Sequence, residues 1–394
     1  MKTIPDRADP AAAAYLQRIG ALKETLRAAA PEIEAARQLT PAIAELLRDA
    51  GVFSVAVPKA WGGLELDPVT HALAIESLAE ADASAAWCAM IGCDTGYIGA
   101  FLEESAATEL ITDVTRASAF VANPTGQAVP CEGGYTVSGR WTFASGSTHS
   151  NVFALGCLVP GETGPRMVNE RTPELRVVVM PANRAEVVDT WTTTGVRGSG
   201  SHDIAVDSVF VPDRHTFVLA PPKMTRQEPL YRFPMLFTFK LGAVALGCAR
   251  GAIDDILAIA ARKSTFGSAT PIKDQEWFAT AIARAEMTLG QARAFYYEAT
   301  EAAWAEMQAG AHPSKQTHAR LNIAQIGAIE RCIEVVDAMY RAGGSASLYS
   351  RNTLDRRLRD IHTIGQHTVI SHRSLLDSGK MLVEAGVAAA STSA

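Results

Sequence analysis

The 394-residue chain has no uninterrupted apolar stretch long enough to span a bilayer, so no membrane-crossing helix is expected. It has no dense Lys/Arg run either, and its formal charge of -6 argues against a general nucleic-acid binder. Cysteines are few and scattered: Cys88, Cys93, Cys131, Cys157, Cys248 and Cys332 show no paired spacing of the zinc-site kind, and no metal site is expected. Met1 to Pro10 is polar and holds two prolines, so a secretory leader is not expected, and the six thiols read as reduced, in a cytoplasmic protein. What is present is ordinary for a globular chain: 48% apolar and 20% charged residues, with length for two or three domains around a large shared interior.

The texture changes twice along the chain. Residues 1–114 read as an N-terminal helical domain. Pro10 to Ala29 is Ala- and Leu-rich, Thr40-Pro41 opens a helix that Gly51 stops, and Ser84 to Leu102 is apolar enough for burial on most sides. Residues 115–225 read as a middle β domain. Within it Gly134 to Phe143 alternates, with Tyr135, Val137, Trp141 and Phe143 on one face. Further strands are expected at Val152 to Val159, Arg176 to Met180, Ala185 to Thr190 and Asp203 to Val211. Residues 226–394 read as four long helices: Gly251 to Lys263, Gln275 to Ala309, Gln316 to Arg341 and Arg359 to Ala385, with a disordered tail from Ala388.

Two ionisable residues bear on the chemistry. Asp94 is a carboxylate in an apolar stretch, costly there unless paired or protonated; it either serves a site or caps the turn at Thr95-Gly96. His367, in Gly365-Gln366-His367-Thr368, titrates near neutral pH and suits proton transfer or hydrogen bonding.

The motifs, in order, are Val57-Pro58-Lys59-Ala60-Trp61-Gly62-Gly63, the loop Gly195 to Ser201 with Val209-Phe210-Val211-Pro212, then Phe266-Gly267 with Pro271 and Gln275, Gly343-Gly344, and Arg359-Asp360. Together they resemble the acyl-CoA dehydrogenase superfamily over nearly the whole chain. The resemblance implies an α+β fold with an N-terminal helical domain, a central β-barrel or sandwich, and a C-terminal four-helix bundle. Where those dehydrogenases carry an aromatic-Glu-Gly-Thr segment with a catalytic Glu, this chain has Gln366 and His367 before Thr368. An amide cannot take the α-proton of a thioester. The block Gly139-Arg140-Trp141-Thr142-Phe143-Ala144-Ser145-Gly146 and the Arg359-Asp360-Ile361-His362 … Gln366-His367 pattern resemble instead the group D flavin-dependent monooxygenases. In those two-component enzymes a separate reductase supplies reduced flavin, and the oxygenase uses it with dioxygen, through a flavin hydroperoxide, to hydroxylate a small aromatic or heteroaromatic substrate.

That resemblance implies roles residue by residue. Ser145 would bond near the reactive ring nitrogen, with Trp141, Phe143 and Ala144 against the flavin; a turn serine and β-domain core remain the plainer readings. His367 would stand over the reactive face, with Ser145 and Asp94 the other catalytic candidates, and Gln366 would reach flavin or substrate. Trp87 and Asp94 would face the substrate with His367; phenol-hydroxylating relatives commonly have a histidine where Asp94 stands, and an indole-like N–H substrate would suit the carboxylate. His362 is expected away from that contact point, and His372 toward solvent. Arg197, Ser199 and Ser201 would donate to the flavin phosphate, or simply form a turn. Lys263 stands at the spacing of a bundle arginine that reaches flavin held by a neighbouring subunit, with Phe266, Gln275, Gly343 and Gly344 completing the cofactor set. FMN and FAD stay open, and a homotetramer is expected. An atypical acyl-CoA dehydrogenase or oxidase, and a non-catalytic flavin-binding relative, are the alternatives.

Overall fold

The computed structural model describes residues 9–219, 224–261, 270–311, 313–350 and 352–392. Helices come first: α1 (Pro10–Ala21), α2 (Lys23–Ala36), α3 (Pro41–Asp49), α4 (Pro68–Ala81), α5 (Ala83–Gly92), α6 (Thr95–Gly99) and α7 (Glu104–Leu110). Their starts follow local chemistry. Pro41 and Pro68 occupy first-turn positions, and Asp67 and Asp82 accept from the amides of Thr70 (3.1 Å) and Ala85 (2.8 Å). Gly51, at φ 85°, follows α3. The apolar stretch Ser84 to Leu102 is buried as expected, yet it is cut into α5 and α6 with Asp94 at the joint. Gly96 is required there, because a Cβ would lie 2.0 Å from the Ala56 carbonyl oxygen.

The middle strands are β1 (Ala117–Cys131), β2 (Gly134–Ala144), β3 (Ser150–Leu158), β4 (Met167–Asn169), β5 (Thr172–Pro173), β6 (Leu175–Pro181), β7 (Glu186–Val188), β8 (His202–Pro212) and β9 (Thr216–Val218). Seven form one sheet in the order β7-β8-β2-β1-β3-β6-β9, in which β1 and β3 run parallel and every other pair is antiparallel. Tyr135, Val137 and Trp141 share the buried face as expected, but Phe143 does not. A register shift between Trp141 and Ala144 takes Phe143 out of the alternation, and its ring is 70% exposed.

The C-terminal helices are α8 (Leu241–Ala260), α9 (Glu276–Gln308), α10 (Lys315–Gly343), α11 (Thr353–Ile364) and α12 (His372–Thr392). α10 lies at the centre, against α8, α9, α11 and α12, and α8 also packs on α4. N-terminal and C-terminal helices therefore share one apolar interior, joined through Leu73, Leu78, Val244, Ile253 and Ile329. Two expectations are corrected. The span Arg359 to Ala385 is two helices separated at 365–371, and the tail expected to be disordered is helical as far as Thr392. Among the described residues no helix is long and apolar enough to cross a membrane.

Candidate active site

A cavity of about 1160 Å³ opens where α5, the β2 end, the loop before β8 and the break between α11 and α12 meet. Its sheet side begins at the β2 bulge. Phe143 has φ 62°, an uncommon conformation for a bulky residue inside a strand, held because the Ser145 amide donates back to the Phe143 carbonyl at 2.9 Å. The Phe143 ring meets Trp191 edge-on at 6.1 Å. The turn delivers Ser145 to the wall, where its hydroxyl accepts from Trp87 Nε1 at 2.9 Å and bonds Ser201 Oγ at 2.7 Å; Ser201 in turn bonds Ser199 Oγ at 2.7 Å. Trp87, Ser145, Ser201 and Ser199 thus form one continuous polar strip with apolar neighbours.

The loop carrying Ser199 and Ser201 is clamped by α11. Asp360 accepts from the Val196 amide at 2.6 Å, Arg359 donates to the Thr194 carbonyl at 2.7 Å, and Arg359 also pairs with Glu34 at 2.5 Å. Burial pushes the Asp360 carboxyl up to about 7, reinforced by the nearby Asp82. Val196 takes the left-handed conformation at φ 48°, and its carbonyl accepts from Trp191 Nε1 at 3.1 Å. The Arg359-Asp360 pair is therefore the fastener of the cavity loop.

Opposite, the break after α11 presents Gln366, His367, Thr368 and Val369 to the cavity. The Gln366 and His367 amides donate to Thr363 and Ile364, and the His367 carbonyl accepts from the Ile370 amide at 2.8 Å, so the break is a closed turn rather than a helix. The Val369 amide donates to His367 Nδ1 at 3.3 Å, which assigns the proton of the neutral ring to Nε2. The ring lies 6.0 Å from Trp87, and burial holds its pKa below the ordinary histidine value. A neutral imidazole with a donating Nε2–H is the form this site favours at neutral pH.

The third wall is apolar: Ile91, Phe120 and Phe237. Set into it is Asp94, the one carboxylate among the described lining residues. Its Oδ1 accepts from Lys240 Nζ at 2.6 Å, with both side chains buried. Lys240 also donates to the Leu236 carbonyl and lies 4.9 Å from each of the Tyr97 and Phe239 ring centres. Burial raises the Asp94 pKa, against the opposing pull of Lys240. The carboxylate makes no cap on α6, which removes the helix-cap reading.

Several expected residues stand elsewhere. Trp141 is fully buried, its Nε1 donating to the Gly156 carbonyl at 2.6 Å, and a Cβ on Gly126 would lie 2.0 Å from its ring. It is β-domain core, and so is Ala144. Arg197 bonds the Thr193 carbonyl and is outside the cavity wall. Gln275 precedes α9, while Gly343 and Gly344 end α10; none of the three lines the cavity. Lys263 and Phe266 lie outside the described residues. His362 also borders the cavity, with its Nε2 2.9 Å from Asp337 Oδ1.

The sequence reading missed Lys240 and Trp191. The signal for Lys240 was a lone cation in the apolar run Phe237-Thr238-Phe239-Lys240-Leu241, the counterpart of the lone Asp94.

The acyl-CoA dehydrogenase N-terminal domain matches residues 20–114, and the acyl-CoA dehydrogenase C-terminal domain matches residues 239–372. The indole-3-acetate monooxygenase of Pseudomonas putida is 30% identical over 357 residues, covering 90% of each chain. The chain belongs to the acyl-CoA dehydrogenase superfamily, among its flavin-dependent monooxygenases. Within that family, the flavin-dependent monooxygenase oxygenase subunit HsaA of Rhodococcus jostii is 28% identical, over 88% of this chain and 92% of its own. The crystal structure of 3-HSA hydroxylase from Rhodococcus sp. RHA1 superposes with a TM-score of 0.83 at 25% identity, covering 92% of this chain and 94% of that one. The expected three-part fold is the family's fold.

The cavity also fits the family's cofactor. Its volume exceeds the roughly 300–1,000 Å³ of a single small-molecule site, leaving room for a flavin ring beside a substrate. The Ser145–Ser201–Ser199 hydroxyls suit the polar edge of such a ring, and the exposed Phe143 ring suits its face.

Proposed function

We propose that this chain is the oxygenase component of a two-component monooxygenase that hydroxylates a small aromatic or heteroaromatic molecule, using dioxygen and reduced FMN or FAD from a separate reductase. The observation that carries this reading is the turn at 365–371. It presents a neutral imidazole and an amide to the cavity, in a segment that resembles the one where acyl-CoA dehydrogenases carry their catalytic Glu. Reduced flavin supplies the electrons that activate dioxygen.

The protein's own residues would do the rest. Ser145, already anchored by Trp87 and Ser201, offers its hydroxyl to the flavin edge, with Ser199, Ser201 and Gln366 beside it. His367 holds a proton on Nε2 above the cavity and can lend it to a developing negative charge. Trp87, Ile91, Phe120 and Phe237 exclude water, which protects a reactive oxygen species from breakdown. Homotetrameric assembly in the cytoplasm completes the reading. A neighbouring subunit's bundle would then bring Gln275 toward the flavin.

The test is reconstitution. The purified chain is mixed with a flavin reductase, NADH, FMN or FAD, dioxygen and a panel of phenols and indoles. Oxygen-dependent hydroxylated product supports the reading. Acyl-CoA oxidation with a dye acceptor, and no oxygenated product, would replace it with a dehydrogenase.

A further inference from the structure

The Asp94–Lys240 pair is more than a buried ion pair. Oδ1 of the carboxylate is taken by Lys240, but Oδ2 is buried and has no hydrogen-bond partner. Leaving a carboxylate oxygen unmet is costly, and Asp94 is at the same time part of the cavity wall, among Ile91, Phe120 and Phe237. Lys240 cannot satisfy a ligand itself: its three N–H donors face Asp94 Oδ1, the Leu236 carbonyl and the Cys93 thiol, and it is fully buried beneath the Tyr97 and Phe239 rings, outside the cavity lining. The pair therefore offers the cavity one acceptor and no free cation. Among the described lining residues there is no Arg or Lys.

We propose that Asp94 Oδ2 accepts a hydrogen bond from the substrate, that Lys240 is the positioning residue holding the carboxylate in place, and that the substrate is an uncharged aromatic bearing a ring N–H or a phenolic O–H. This rests on the oxygenase reading of the cavity. When oxygen adds to an electron-rich ring, the ring N–H or O–H becomes more acidic, so an acceptor at that proton is worth more as the reaction proceeds. A substrate carboxylate, as in an arylacetate, would have no cationic partner on this wall and would face Asp94 itself.

The experiment is calorimetric titration of the flavin-loaded protein, without oxygen, with two matched pairs: indole against N-methylindole, and phenol against methoxybenzene. Indole-3-acetate is the charged control. In the wild type, methylation of the donor is expected to weaken binding about 10- to 100-fold in at least one pair, the range for a hydrogen bond to a charged group. The pair that responds identifies the donor.

Asp94→Asn leaves Lys240 buried without a counter-charge and can fail to fold. The double variant Asp94→Leu/Lys240→Met removes both charges, and in it the ratio between donor and methylated ligand should fall to within about 3-fold. A structural role for the pair would lower affinity for both members of a pair alike and leave their ratio unchanged. An equal affinity within both pairs in the wild type, or an unchanged ratio in the double variant, overturns the assignment. Tighter binding of indole-3-acetate than of indole overturns the uncharged-substrate part. Because binding is read without turnover, discrimination that persists in a protein giving no oxygenated product would sink the oxygenase reading alone.

Discussion

Asp360→Asn should stabilise this protein at alkaline pH while leaving it near wild type in acid. Asp360 is buried, and its acceptor oxygen holds the Val196 amide at 2.6 Å, a bond that an asparagine oxygen can keep. Burial and the neighbouring Asp82 raise its pKa to about 7, from an unfolded value near 4. Between those values the native state holds a proton that the unfolded chain has released, so stability falls as pH rises and levels off above the native pKa. The stability tied to this proton is fully present below pH 4 and lost by about pH 7. From pH 5 to pH 8 about two pH units of that window are crossed. At about 1.4 kcal/mol per unit, the wild type loses roughly 2–3 kcal/mol relative to the variant. Denaturant unfolding of both proteins at pH 5 and pH 8 reads this directly. A stability difference that is the same at the two pH values would refute the buried, proton-holding carboxyl.

Other substitutions separate the cavity from its supports. Ser145→Ala leaves Trp87 Nε1 without its acceptor and breaks the link to Ser201; it should raise hydrogen peroxide released per product several-fold, and an unchanged coupling ratio would remove Ser145 from the site. Trp141→Ala empties a fully buried indole site and should cost about 3–5 kcal/mol of folding stability; thermal unfolding showing no loss would contradict its place in the core. The His367 ring should stay neutral below the ordinary histidine pKa, because burial disfavours its charged form; an NMR titration in which that ring protonates at or above about 6.5 would contradict the neutral form.

The three-part order of helices, sheet and helices was legible because period-3.6 and period-2 patterns alternate cleanly along the chain. The central strand β1 was not. Its span holds Pro124, Gly126 and Pro130, which break strand patterning; Pro124 lies in the register shift between Val121 and Gly126, Gly126 pairs with Cys157, and Pro130 pairs at the strand end. The helix break holding His367 was hidden because both flanks are helical in pattern, with Gly365 the sole local cue. Trp141 and Phe143 looked alike by alternation, and only the bulge sends one inward and the other into the cavity. Asp94 was recognised as costly, but its partner lies 146 positions away, a pairing that local pattern does not reveal.

The most direct measurement is product formation by His367→Asn, with reductase, reduced flavin and dioxygen supplied, alongside the affinity for reduced flavin. Loss of the Nε2–H donor should lower hydroxylation by about 10²- to 10⁴-fold while flavin affinity stays within a few-fold. Turnover close to wild type, or loss of flavin binding in step with activity, would contradict an imidazole acting where a thioester-oxidising enzyme keeps its base.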